Sequence, residues 1–316
     1  MLLAAPGYAW NDPGHRAIAI AAMRMLPAQT QRAVLETLSA HPRYKQDFLR
    51  LQPQDPAPFS VAEWQIGQAA TWPDLARGFE HAWFWQRSSL RERYHRGRWH
   101  YINFPVYLDT ADRSLQIPDP SQRCTLADCA ENPGNVLEAL DFIQEAFTRP
   151  ASEPGQRGLW LAWALHLLAD AHQPLHSTAL FSIERWPNGD RGGNDIQVGN
   201  ELNLHAFWDR TLLAAGDSTD VEALVARLLP PGLAPGKSVG QQVQAPVDVV
   251  GLLRESHDVA SEFVYDPILG ALRAAENDAP ITLDKAYVER AAMAALQQGR
   301  RAVLRTAQWL QYNFGT

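Results

Sequence analysis

Two short segments pair a histidine with an aspartate four residues on: His166 with Asp170, and His205 with Asp209. On a helix that spacing puts both side chains on one face. An imidazole nitrogen beside a carboxylate oxygen is then a two-toothed clamp for a cation such as zinc. The first pair lies inside LAWALHLLADAHQPLH, residues 161–176, a nearly unbroken apolar run that reads as protein interior. Buried imidazoles and carboxylates are costly unless something pairs with them. One such pair is more often a surface or capped contact, but two of them, one inside an apolar run, point to metal binding. His176, two residues after the helix-breaking Pro174, turns a further ligand toward the same place.

Three other fragments carry the same residue types. TWPDLAR sets Asp74 beside an aromatic and a proline, WHYINFP puts His100 in a short extended segment, and WNDPGHRAIAIAA places His15 five residues after Trp10. The elements that must position them are mostly helical. Apolar residues recur at helix spacing over 14–26, 30–40, 135–147, 159–171, 220–229, 249–275 and 284–314. Strand-like alternation is confined to 98–103 and 194–199, and Pro- and Gly-rich breaks fall at 52–58, 132–134, 187–193 and 230–236. With candidate ligands scattered from residue 10 to residue 209, the pattern predicts an all-α chain forming one interleaved domain over 10–316, with very little β.

The bulk numbers narrow the chemistry. A chain of 316 residues with 46% hydrophobic and 20% charged residues is globular, not disordered. Its formal net charge is −7, and its only lysines are Lys45, Lys237 and Lys285. Such a chain is a poor candidate for gripping a polyanion by surface charge alone. Cys124 and Cys129 are too few for a four-sulfur zinc site and leave a short-loop disulfide or two free thiols, the disulfide being favoured in an exported protein. Residues 1–9 resemble the end of a signal peptide cleaved before Trp10, which predicts a secreted or periplasmic protein. Nothing reaches the roughly 18 apolar residues of a membrane span.

In order along the chain, W-x4-H, WPD, HYIN, H-x3-D-x-H-Q-P-L-H, DRGGN and N-L-H-x2-W-D form a specific combination. From Trp10 to about Leu213 it resembles the zinc-dependent, single-strand-preferring nucleases and 3′-nucleotidases of the S1/P1 type. The resemblance implies a helical cleft holding three zinc ions. Asp74, His100, His166 and Asp170 would hold one. Trp10, His15 and Asp170 would hold a second, Trp10 through its free α-amine and its carbonyl once residues 1–9 are removed. His176, His205 and Asp209 would hold the third. Asp170 would bridge two ions and Asp74 would orient the nucleophile, making these the catalytic pair. Three divalent ions against three carboxylates leave such a cleft locally positive on an acidic chain.

The same resemblance implies a monomeric endonuclease releasing 5′-phosphate products from single-stranded DNA and RNA, with 3′-nucleotidase activity. DRGGN is by default a turn; the resemblance makes it a cleft wall with Asn194 facing the site. Asn103 stands where fungal relatives tend to carry a base-reading Asp, so it is a candidate substrate residue of unassigned base preference. Thr211 replaces an Asn expected in some fungal members. The nearest rival is a zinc phospholipase C, and a second is a zinc-stabilised binding protein without turnover. Among the other histidines, His172 reads as a residue that supports the ligands from behind or simply packs, and His41, His81, His95 and His257 as surface or satisfied core. Residues 78–97, rich in Arg and aromatics, read as a solvated helix or a nucleic-acid-facing loop.

Overall fold

The computed structural model describes residues 10–78, 90–122, 133–149, 153–200, 202–214, 220–230, 245–276 and 279–315. Its centre is α5, Pro154–Asp170, which starts on a proline suited to a first helical turn and buries eleven residues from Gly158 onward. A helix apolar on every side must be wrapped on every side. The wrapping elements are α2 (Ala28–Ser39), α3 (Val61–Gly78), α4 (Val136–Thr148) and the 30-residue α10 (Lys285–Phe314), all packed against it. Gly158 lets α2 come close, because a Cβ there would sit 2.6 Å from the His41 backbone nitrogen.

The N-terminal helix α1, Asp12–Arg24, is set by Asn11, whose side chain accepts from the Gly14 amide at 3.2 Å. It packs against α3 and α10. Further helices among the described residues include α6 (Leu204–Ala214), α7 (Val221–Leu228), α8 (Val249–Val259) and α9 (Leu269–Ala274). One continuous cluster of buried apolar residues runs from Trp10 to Phe314, as expected for a single domain. No helix among the described residues is long and apolar enough to cross a membrane.

Strand is scarce, as the sequence predicts, but its placement differs. The segment 98–103 is not a strand: Gly97–His100 is a 3-10 turn, and β1 is Phe104–Tyr107. Consecutive Trp99 and His100 are both buried, which a strand with one solvated face cannot do, and Trp99 donates Nε1 to the Pro133 carbonyl at 3.1 Å. β1 pairs in parallel with β2, Thr178–Phe181, in the register Phe104↔Thr178 to Tyr107↔Phe181. Of 194–199, only Gln197–Val198 forms a strand, β3, antiparallel to β4 at Leu202–Asn203.

Two helical expectations are also corrected. The run 249–275 is interrupted after α8 by a π-helical turn, Ala260–Tyr265, and a 3-10 turn, Asp266–Ile268. Pro267 has no amide to continue the α-helical ladder. Helix α3 escaped the periodicity reading because Gly67 and the interior Pro73 break the apolar stripe; tertiary packing holds it helical nonetheless.

Candidate metal centre

Each candidate ligand reaches the centre for a local reason. Asp74 stands near the end of α3, His166 and Asp170 at the C-terminal end of α5, His205 and Asp209 on α6, and His15 in the first turn of α1. Pairing upstream of β1 brings the rest: Ile102 N donates to His176 O at 2.8 Å, and His176 Nδ1 donates to His100 O at 2.6 Å. All eight side chains are buried.

Asp170 is the hub. His100 Nδ1 lies 2.9 Å and His166 Nε2 3.2 Å from its Oδ2, while His15 Nε2 lies 3.3 Å from Oδ1. His166 Nε2 is 3.9 Å from Asp74, and the His15 and His166 rings stack with centroids 4.1 Å apart. On the other side, His205 Nε2 stands 3.7 Å from Asp209 Oδ2, and the His176 and His205 rings are 5.0 Å apart. Three groups each gather within 4.8 Å: His15, Asp74 and His166; His100, His166 and Asp170; His176, His205 and Asp209. His166 belongs to the first two, which therefore form one continuous cluster.

Hydrogen bonds aim the nitrogens. His166 donates Nδ1–H to Ala70 O at 2.8 Å, and His205 donates Nδ1–H to Gly192 O at 2.7 Å. A carbonyl can only accept, so in these rings and in His176 the Nδ1 carries a proton and Nε2 is aimed at the cluster. Gln173 donates to Asp209 Oδ1 at 2.7 Å and leaves Oδ2 facing His205.

Burial sets the charges. Desolvation holds His15 and His176 below their ordinary values and takes His205 down to about 3, so all three are neutral. Burial pushes Asp209 well above the usual carboxylate range. Burial opposes charge on His166 and Asp170 as well, but their mutual attraction outweighs it: His166 rises to about 9 and Asp170 falls well below the usual range.

Six buried atoms in this cluster have no hydrogen-bond partner: both nitrogens of His15, Nε2 of His100 and of His176, Oδ1 of Asp170 and Oδ2 of Asp209. Each such orphan costs about 1–3 kcal/mol. A set of orphaned imidazole nitrogens and carboxylate oxygens, with no thiolate, is the donor chemistry of zinc. These three His/Asp groups can hold metal ions. Trp10 does not enter them through its side chain, yet it is fully buried and donates its indole N–H to Ala169 O at 3.1 Å, one residue before Asp170. Asn11 N donates to Asp209 O at 3.3 Å.

The cluster floors a cavity of about 300 Å³. Asn103 and Asn194 line it, and so do Arg77, His95, Tyr101, Asn188 and Arg191, which sequence reasoning did not single out. Arg77 lies three residues after Asp74 on α3, a spacing that puts both on one helical face and could have revealed it. His95 is corrected from surface or satisfied core to cavity wall. His41 and His172 are buried core residues: His41 accepts from Arg43 N at 3.1 Å while its Nε2 has no partner, and His172 donates to Leu168 O at 2.6 Å. Half-buried His257 shares a 3.1 Å hydrogen bond with Thr178. Cys124, Cys129, His81 and most of 78–97 lie outside the described residues.

A comparison with curated protein sequences returns no match. The family model described as S1/P1 Nuclease matches residues 10–315, almost the whole chain. With a helical fold and a buried His/Asp centre under an open cavity, the chain belongs to the S1/P1 nuclease family, hydrolases of phosphodiester bonds in nucleic acids.

Proposed function

We propose that this protein is a zinc-dependent endonuclease that cuts single-stranded DNA and RNA to 5′-phosphate products and also removes 3′-phosphates from nucleotides. The observation carrying this reading is the set of orphaned His and Asp donors gathered behind a cavity that Asp74, His100, His176 and His205 line together with Arg, Asn and Tyr. Three zinc ions would be held by Asp74, His100, His166 and Asp170; by Trp10, His15 and Asp170; and by His176, His205 and Asp209. When bound, zinc supplies an activated water near neutral pH and neutralises charge on the phosphoryl oxygens.

The chain's own groups do the rest. Asp170, with two carboxylate oxygens among four imidazoles, holds the centre together. Asp74 accepts a hydrogen bond from the attacking water and orients it. Arg77, on the cavity wall, offers a guanidinium to a phosphoryl oxygen. The water oxygen becomes bonded to phosphorus as one of its protons passes to Asp74, the P–O3′ bond breaks, and the 3′-oxygen takes a proton from solvent and leaves as a hydroxyl. Tyr101, 42% exposed, gives a base a face to stack on, and Asn103 and Asn194 can both donate and accept at a base edge. A splayed nucleotide fits a cavity of this size, whereas duplex bases stay in their stack.

Trp10 serves as a ligand only as the chain's first residue, so residues 1–9 are a leader removed on export. Burial of Trp10 and the hydrogen bonds of Trp10 and Asn11 beside Asp170 and Asp209 support that placement. The exported protein acts as a monomer. The test is elemental analysis and assay of protein beginning at Trp10. Three zinc ions per chain are expected, with release of acid-soluble nucleotides from single-stranded DNA and none of phosphocholine from lecithin. Chelation should abolish turnover and lower Tm, since the ions stabilise the fold that binds them. Active protein without zinc overturns the reading, and phosphocholine release would transfer it to phospholipase C.

A further inference from the structure

The loop 189–193 is built on unusual backbone. Gly189, Gly192 and Gly193 take φ values of 85°, 62° and 81°, and Arg191 among them sits at 57°. Glycine adopts such angles freely, while a side chain with a Cβ is strained there. Gly192 could not be otherwise, since a Cβ would lie 2.5 Å from Leu175 O. Nothing in the turn itself asks for arginine; glycine or asparagine would serve without strain.

The surrounding structure fixes that strained conformation from both sides. Buried Asp190 accepts from Leu180 N at 2.9 Å, Gly193 N at 3.0 Å and the Tyr265 hydroxyl at 2.8 Å. The π-helical turn delivers Tyr265 to this position. Asn194 donates its side-chain amide to Arg191 O at 2.8 Å, and Gly192 O receives His205. Strain held by so many neighbours is a mark of function. The Arg191 side chain lines the cavity and is 75% exposed. Asp195, 3.4 Å away and itself exposed, pairs with it only weakly. The guanidinium is the side chain best matched to a phosphate.

We propose that Arg191 binds a second phosphate of the polynucleotide, adjacent to the one hydrolysed, and thereby favours chains over mononucleotides. The proposal rests on the nuclease reading above. Arg191→Gly removes the cation while permitting the same backbone. Its kcat/KM for an oligodeoxynucleotide should fall about tenfold further than for a dinucleoside monophosphate, which lacks the second phosphate. The slope of log Kd-based affinity for the oligonucleotide against log salt should become less negative by about 0.7, one phosphate contact on a single strand. The Tm should equal or exceed that of the wild type, because the strain at φ 57° is relieved. Arg191→Lys should recover the slope. An unchanged slope with equal losses on both substrates overturns the proposal, as does a lowered Tm with the slope unchanged. If the wild type does not turn over oligonucleotide, the nuclease reading fails instead, and the salt slope of binding still decides the role of Arg191.

Discussion

Asp190 holds the loop that carries Arg191 and receives His205, and removing it has a calculable cost. Asp190→Ala strips the acceptor from two backbone amides and the Tyr265 hydroxyl. At about 1–3 kcal/mol for each orphaned donor, the loss is about 5 kcal/mol. An opposing effect depends on pH. Burial, working against those three hydrogen bonds, raises the Asp190 carboxyl to about 7. A carboxyl raised in the folded state stabilises fully below its unfolded value near 4 and loses that contribution as pH rises through about 7. Between pH 5 and pH 8 the wild type therefore gives up about 3 kcal/mol at this position, which the alanine variant never had. The variant should be less stable by about 5 kcal/mol at pH 5 and by about 2 kcal/mol at pH 8. Urea unfolding at the two pH values, with the slope m held constant, reads the difference. Tyr265→Phe, which orphans nothing on the backbone, should cost about 1 kcal/mol. A penalty for Asp190→Ala that stays flat or grows with pH, or that merely equals the Tyr265→Phe penalty, refutes the account.

Two further perturbations test the packing behind the centre. Burial first, and Arg43 second, hold His41 at about 3, so His41 is neutral in the fold and the wild type loses stability through it as pH falls from 6.5 toward 3. His41→Gln should flatten that dependence by about 1.4 kcal/mol per pH unit between pH 4.5 and 6, measured by denaturant unfolding; an unaltered dependence refutes it. Gly158→Ala forces a Cβ to within 2.6–2.8 Å of backbone atoms of His41 and Thr37, none of which can swing aside. A loss of about 2–3 kcal/mol is expected. A thermal midpoint within a degree of the wild type would show that α2 can retreat from α5.

The first two ligand groups divide differently from the expected sets. The family resemblance pairs His15 with Asp170, while the structure also gathers it with Asp74 and stacks it on His166. His166 Nε2 faces both carboxylates, so cations entering here meet one shared pool of donors. That sharing explains why burial alone does not set the charge state of His166 and Asp170, whereas it does for His205 and Asp209, which lie farther from opposite charge.

The sequence by itself determined whatever is local. The 3.6-residue periodicity of α1, α4, α5 and α10, the His–x3–Asp clamps at 166/170 and 205/209 and the turn at DRGGN all follow from spacing along a few turns of chain. A shared face on one helix depends on no distant partner. What spacing cannot carry is contact between segments far apart. The parallel pairing of 104–107 with 178–181, which brings His100 against His176, depends on strands too short to show alternation. The helix at Val61–Gly78 survives Pro73 because α1 and α5 pack on it, and only then does Asp74 reach His166. Asp190 and Tyr265 are 75 residues apart and meet through a π-helical turn without periodic signature. Residue types fixed which chemistry was possible; long-range packing decided which side chains lost their water together, and thereby where a cation would be welcome.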